Sequence, residues 1–256
     1  MSQKRRTAAD EPYLIIRSAA SDLAPGQAIR EHAHDWHQLI HATSGVLMIT
    51  TERGSWVVPP SWGVWVPAGT RHAIRASGHC AFRTVYAAPN CAQDLPAACT
   101  AVTISPLLRE LILRVVAIGM VDRRDTVESA LAILLLDAVH RSPVPPFDLP
   151  EPQSDATRRA AAWIFSDGAE AVIPAIARAV GLSVRALERR FVAETGMSLG
   201  RWRRHGALLA SLERLGSGAS VKQAAAAAGY ATPSAFVAAF RAVFGVTPAR
   251  YFEQAA

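Results

Sequence analysis

The stretch AAAAAGYATPSAFVAAFRAVFGVTPARY, residues 224–251, decides how the C-terminal half of the chain folds. Its alanines continue a helix opened by Ser220, whose hydroxyl oxygen can cap free backbone N–H groups. Gly229 supplies a left-handed residue to stop that helix. Thr232 caps the next helix, and Pro233 takes its first turn, where a missing N–H costs nothing. Phe236, Ala239, Phe240, Val243 and Phe244 share its inner face, while Ser234, Val237, Ala238 and Arg241 look outward. Small alanine side chains let the two helices approach closely. A short helix, a glycine turn and a second helix with one apolar face is the helix-turn-helix pattern, here over about 220–244.

The pattern occurs once before. In AIARAVGLSVRALERRF, residues 175–191, a short helix closes at Val180, Gly181 turns the chain and Ser183 caps the next helix. Val184, Leu187 and Phe191 form an inner face, and Arg185, Glu188 and Arg189 an outer one. This first unit spans about 172–191. Between the units runs LGRWRRHGALLASLERL, residues 199–215, capped by Ser198, with Leu199, Trp202, Leu209 and Leu212 as its seam. Charge follows the same division. Residues 1–154 hold 14 Lys+Arg against 14 Asp+Glu, and residues 155–256 hold 13 against 7, so the whole net charge of +6 lies in the helical part. A neutral domain joined to a basic one points to a polyanionic partner.

Residues 155–253 resemble the DNA-binding domain of the AraC/XylS family of transcriptional regulators. The resemblance is carried by ARAVGLSVRALERRFVAETGMSLGRW and most of all by the stretch quoted first, with its glycine–aromatic step, phenylalanine-rich helix and closing GVTPARY. It implies two reading helices entering successive major grooves of promoter DNA, about one helical turn (~34 Å) apart. The expected contacts are Ser183, Arg185, Glu188, Arg189 and Arg190 from the first unit, Arg201 from the joining helix, and Thr232, Ser234, Val237 and Arg241 from the second. Arg185 and Arg189 can fork onto guanine; Glu188 can accept from cytosine or pair with those arginines. The second helix offers base edges little beyond Val237 and Ser234, which leaves Arg241 for phosphate.

The rest of the chain reads differently. SPVPPFDLPEPQS, residues 142–154, has five prolines and is expected to be a stiff linker between domains. Residues 1–10 form a basic polar tail without an apolar signal region. Residues 11–90 hold short runs of branched and aromatic residues between turn signals (LIIR, VLMITT, SWVVP, VWVP, AFRTVYA), the mark of a small barrel or sandwich. Residues 91–141 read as two amphipathic helices. One is opened by Ser105 and Pro106; the other, opened by Asp125 or Thr126, carries Val127, Leu131, Leu134, Leu135 and Val139. They can pack on the barrel or form a homodimer seam. The fold class is therefore α+β in two domains.

Three histidines stand within six positions in REHAHDWHQL, residues 30–39. Gly26, His32, His34, Gln38 and Gly45, followed by Pro67, Gly69 and His72, have the spacing of the two cupin motifs. Residues 13–90 thus resemble a cupin barrel, a family that often holds one metal by three histidines and a glutamate. His32, His34 and His72 match ligand positions; Gln38 stands in place of the glutamate. Placed two apart on one strand, His32 and His34 would face the same side. The set suits Zn, Ni or Fe, or the same side chains line a pocket for a small organic effector. Trp36, Trp56, Trp62 and Trp65 nearby can wall such a pocket or simply pack. The expectation is a cytoplasmic, homodimeric, sequence-specific DNA-binding regulator with a sensing barrel, not an enzyme; the alternative is a dioxygenase-like cupin metalloenzyme carrying a helical appendage. Three cysteines without a paired spacing fit a reducing compartment, and no apolar run is long enough for a bilayer.

Overall fold

The computed structural model describes residues 12–51, 54–143, 152–167 and 172–253. The chain divides into two compact units at Pro145/Pro146. Among the described residues, the first is a pair of antiparallel sheets with two α-helices and a 3-10 turn (Pro89–Cys91), and the second has helices and no strand.

In the first unit, strands β1 (Leu14–Leu23), β3 (His37–Ala42), β6 (Trp62–Val66), β8 (Cys80–Ala87), β9 (Thr100–Thr103) and β10 (Met120–Asp122) make one sheet in the order β10-β1-β8-β3-β6-β9. Strands β2 (Ala28–His32), β4 (Leu47–Thr51), β5 (Gly54–Val58) and β7 (His72–Ala76) make the other, in the order β2-β7-β4-β5. Gly45 permits the tight turn into β4. Its φ is +81°, and an added Cβ would lie 2.2 Å from the His79 carbonyl oxygen.

Register sorts the side chains. Leu39, Trp65 and Val85 are cross-strand neighbours and belong to a buried core shared with α1 (Pro106–Ile118) and α2 (Thr126–His140). Gln38, Thr84 and Tyr86 lie on the opposite face, toward the barrel interior. Ser105 accepts the Leu108 N–H and Asp125 those of Val127 and Glu128, so both helices start where their caps stand.

Three expectations change. Residues 91–141 are not purely helical, since β9 and β10 extend both edges of the larger sheet; short segments become strands when an edge offers unpaired backbone groups. The histidine-bearing strands β2, β3 and β7 also escape the pattern of branched and aromatic runs. Finally, Thr103 Oγ1 donates to the Pro143 carbonyl, and Glu194 accepts from the Gln153 and Ser154 N–H groups. Both ends of the proline-rich segment thus belong to the flanking units, and its middle, 144–151, lies outside the described residues, as does the basic tail.

In the second unit, α3 (Asp155–Asp167), α4 (Ile173–Ala179), α5 (Val184–Thr195) and the start of α6 (Leu199–Gly216) enclose Ile164, Ile176, Leu187, Phe191, Leu199 and Trp202. The Phe191 and Trp202 rings meet edge to face at 5.2 Å. Beyond α6 come α7 (Val221–Ala227), α8 (Pro233–Phe244) and α9 (Pro248–Glu253). A relay of rings, Tyr230–Phe236–Phe240–Tyr251, holds this end with centroids 5.5–5.7 Å apart. Two seam positions differ from expectation. Leu208 rather than Leu209 is fully buried on α6, and Val184, at the first turn of α5, stays exposed.

Candidate functional sites

At one end of the barrel His32, the last residue of β2, pairs with His72, the first of β7. His34 is not on the strand with His32, as expected, but in the connection to β3. The chain leaves β2 after His32, and the connection folds back so that the rings still meet. Ring centroids are 4.4 Å apart for His32–His72, 5.2 Å for His34–His72 and 5.8 Å for His32–His34. One ring nitrogen from each lies within 4.8 Å of the others.

The hydrogen bonds orient the rings. Nδ1 of His32 lies 2.8 Å from the Arg30 carbonyl, Nδ1 of His34 2.6 Å from that of Trp36, and Nδ1 of His72 2.9 Å from that of Thr70. A carbonyl only accepts, so each Nδ1 carries a proton, which leaves Nε2 as the ring nitrogen that could ligate a metal. The Nε2 of His72 is buried without a hydrogen-bond partner among the described residues. Burial pushes the His72 pKa down to about 4; the Thr70 carbonyl opposes this, and His32 and His34 add to it. That ring is neutral at pH 7.

Gln38 is fixed by the same logic. Thr84 Oγ1 donates its proton to the Leu39 carbonyl at 3.1 Å, so it must accept from Gln38. The Gln38 amide nitrogen accordingly donates to Thr84 at 2.8 Å and to the Tyr86 hydroxyl at 3.1 Å. Its oxygen is left facing His34 Nε2 at 2.9 Å. With the proton on Nδ1 these are two lone-pair atoms pointed at each other, a contact that needs a second proton or a cation. His37 is separate: it stacks on Trp65 and its Nδ1 accepts the Ala68 N–H. Trp36, Trp62 and Trp65 are buried packing residues. Sequence reasoning missed Thr84 and Tyr86, whose roles depend on the pairing of β3 with β8.

The second site is the outer surface of two matched helical hairpins. Gly181 (φ +74°) and Gly229 (φ +79°) make the turns. Both close alike: Leu182 N–H donates to the Ala177 carbonyl and Tyr230 N–H to that of Ala225, each at 2.9 Å. Ser183 accepts the Ala186 N–H and Thr232 that of Ala235, so these two expected contacts also cap their helices. Arg185, Arg189, Arg190, Arg201, Ser234 and Arg241 are exposed. Glu188 also has a partner inside the unit: its carboxylate accepts the Leu199 N–H at 3.1 Å, at the start of α6. The outer face of α8 forms a shallow groove of about 750 Å³ lined by Pro233, Ser234, Val237, Ala238, Arg241, Ala242, Gly245 and Thr247.

Comparison with known proteins agrees with this division. Residues 18–140 match the family described as the AraC-like ligand binding domain, and residues 176–254 match the helix-turn-helix domain family. The HTH-type transcriptional regulator NimR of Escherichia coli (strain K12) is 31% identical over 221 residues, covering 86% of this chain and 81% of the relative. Among solved structures, ToxT from Vibrio cholerae with a bound unsaturated fatty acid aligns over 94% of this chain and 95% of its own, at 14% identity and a TM-score of 0.39. A transcriptional regulator with an AraC-type DNA-binding domain from Chromobacterium violaceum aligns over 40% of this chain and 92% of its own, at 25% identity and a TM-score of 0.38.

Proposed function

The chain belongs to the AraC family of transcriptional regulators, and from that premise we propose that its barrel senses a divalent transition ion, Zn, Ni or Fe, held by His32, His34, His72 and Gln38. The family membership makes it a regulator with a ligand-binding domain and a helix-turn-helix DNA-binding domain. One observation carries the ion: three imidazoles with Nδ1 tied to backbone carbonyls present their other nitrogens to a common point, against an amide oxygen that cannot flip away. Imidazole suits such ions, and the neutral amide oxygen is a poorer ligand than the glutamate it stands in for. Protein purified without chelator should carry, or take up, close to one equivalent of metal by elemental analysis. Less than a tenth of an equivalent after metal is added would leave the pocket to an organic effector.

The remaining parts of the reading follow. The barrel acts as a sensor and not as a catalyst, because it is coupled to two DNA-reading units in one chain. Arg185 and Arg189 of α5 fork onto guanine, with Ser183, Arg190 and Arg201 on the backbone beside them. Thr232, Ser234, Val237 and Arg241 of α8 meet a second major groove. Homodimers form through α1 and α2, whose Leu107, Val127, Ile133 and Leu134 are more than half exposed; such a patch marks an interface in a soluble domain. The place of action is the cytoplasm, with promoter DNA; Cys80, Cys91 and Cys99 are all free thiols, and no helix among the described residues is long and apolar enough to cross a membrane. Retention of a promoter fragment from its own or a neighbouring gene in a gel-shift assay tests the DNA reading.

A further inference from the structure

The outer face of α8 is chemically unlike that of α5. Along α5 the exposed positions include the guanidinium groups of Arg185 and Arg189. Along α8 the corresponding surface is a groove lined by the apolar Pro233, Val237, Ala238 and Ala242, together with Ser234, Arg241 and Thr247. Val237, Ala238 and Ala242 cannot distinguish bases by their donors and acceptors. They can distinguish them by the one apolar group in the major groove, the C5 methyl of thymine.

We propose that α8 reads its half-site through thymine methyl groups seated in the groove around Val237, with Arg241 anchoring an adjacent phosphate. The proposal rests on α8 entering a major groove, as proposed above. Its geometry is favourable. Val237 lies one turn beyond Pro233, in the N-terminal half of the helix, where recognition helices approach base edges. Val237 and Ala238 both line the groove, and the opposite face of the helix is locked by the fully buried Phe236 and Phe240. The backbone of α8 therefore keeps its place when the outer residues change. A methyl buried there is worth about the transfer of one CH2 group, ~0.8 kcal/mol or about fourfold in affinity. The preference at this half-site is thus for one or two thymines, weaker per position than an arginine–guanine pair, and indifferent to which groups hydrogen-bond.

The test uses the full-length protein and a duplex found by binding-site selection. Each thymine under α8 is replaced singly by deoxyuridine, which removes the methyl and leaves pairing and O4 intact. Fluorescence anisotropy should show about fourfold weaker binding at one or two positions. In Val237→Ala the penalty for the same replacement should shrink toward nothing, and Ala238→Ser, which puts a hydroxyl into the groove, should reduce it too. Circular dichroism confirms that both variants are folded. A selected site without thymine under α8, or deoxyuridine duplexes bound as tightly as the parent, overturns the proposal. So does a deoxyuridine penalty that persists unchanged in both variants, since the loss would then come from DNA shape. Hydroxyl-radical protection of the backbone along only one helical turn would overturn the docking of α8 itself, a failure distinct from the others.

Discussion

Glu194, near the C-terminal end of α5, ties the first reading helix to the point where the chain enters the helical unit. One oxygen accepts the Gln153 N–H at 2.8 Å, the Ser154 N–H at 3.1 Å and the Thr157 hydroxyl at 2.5 Å. Burial raises the cost of its charge, but these donors outweigh burial and hold the carboxyl at about 2 against an ordinary 4.5. At 1.36 kcal/mol per pKa unit the ceiling on this contribution is ~3 kcal/mol. The residue is partly solvated, and screening reduces that to ~1–2 kcal/mol. Glu194→Gln keeps an acceptor and removes the charge. At pH 7 the variant should unfold its helical unit about 5 °C below wild type by calorimetry, the shift that ~1 kcal/mol gives a domain of this size. Because the carboxyl pKa is depressed in the fold, its stabilisation is full above pH 4.5 and fades as pH falls toward 2. The gap between the two proteins should therefore shrink to less than half by pH 3 and close only below pH 2. A gap that stays constant from pH 7 to pH 3 would refute the argument, as would no gap at pH 7.

Three further outcomes are expected. Adding Zn or Ni to metal-free protein at a hundred times its dissociation constant should stabilise the fold by ~2.7 kcal/mol; His72→Ala should abolish the effect in thermal-shift measurements, and an unchanged shift counts against the histidine site. His41 is buried on β3, with its Nδ1 donating to the Trp62 carbonyl. Burial drives its pKa down to about 4, opposed by the Trp62 carbonyl and aided by Arg109 and Arg83. Folding should weaken as pH falls from 6.5 toward 4, by up to ~3 kcal/mol from this residue, and urea midpoints at pH 7 and 5 should differ less in His41→Gln. In quantitative binding assays Arg189→Ala should relax preference at one or two base pairs. Arg241→Ala should weaken all sequences about equally and lower the salt slope by roughly one phosphate's worth; a sequence-dependent loss from Arg241→Ala would reassign it to base reading.

The helical unit was legible because its determinants are local. Ser183, Ser198, Ser220 and Thr232 each cap the helix that follows, and Gly181 and Gly229 turn where the pattern placed them. These signals act within four residues, which is the range a single sequence displays. The barrel was legible only in outline. His32 and His72 could be paired by motif spacing, but the position of His34 off the strand depends on where β2 stops. The lock on Gln38 depends on Thr84 and Tyr86, more than 40 residues away. β9 and β10 carry weak patterns of their own and take their form from the edges they meet. Periodicity placed Glu188 on α5 but could not reveal its hydrogen bond from the Leu199 N–H, which depends on where α6 begins.

The two reading helices are built to one gauge. Each is 12 residues long, begins at a hydroxyl cap and ends at a left-handed glycine, Gly196 or Gly245; each reaches ~18 Å. Their inner residues are fixed by the core, whereas Arg185, Arg189, Ser234, Val237 and Arg241 have little part in it. Substitution at those outward positions therefore costs folding little. Glu188 is the exception, since its loss would also loosen the start of the joining helix. Divergence among duplicated copies of such a gene should run through the outward positions first and leave the caps, the glycines and Glu188 in place.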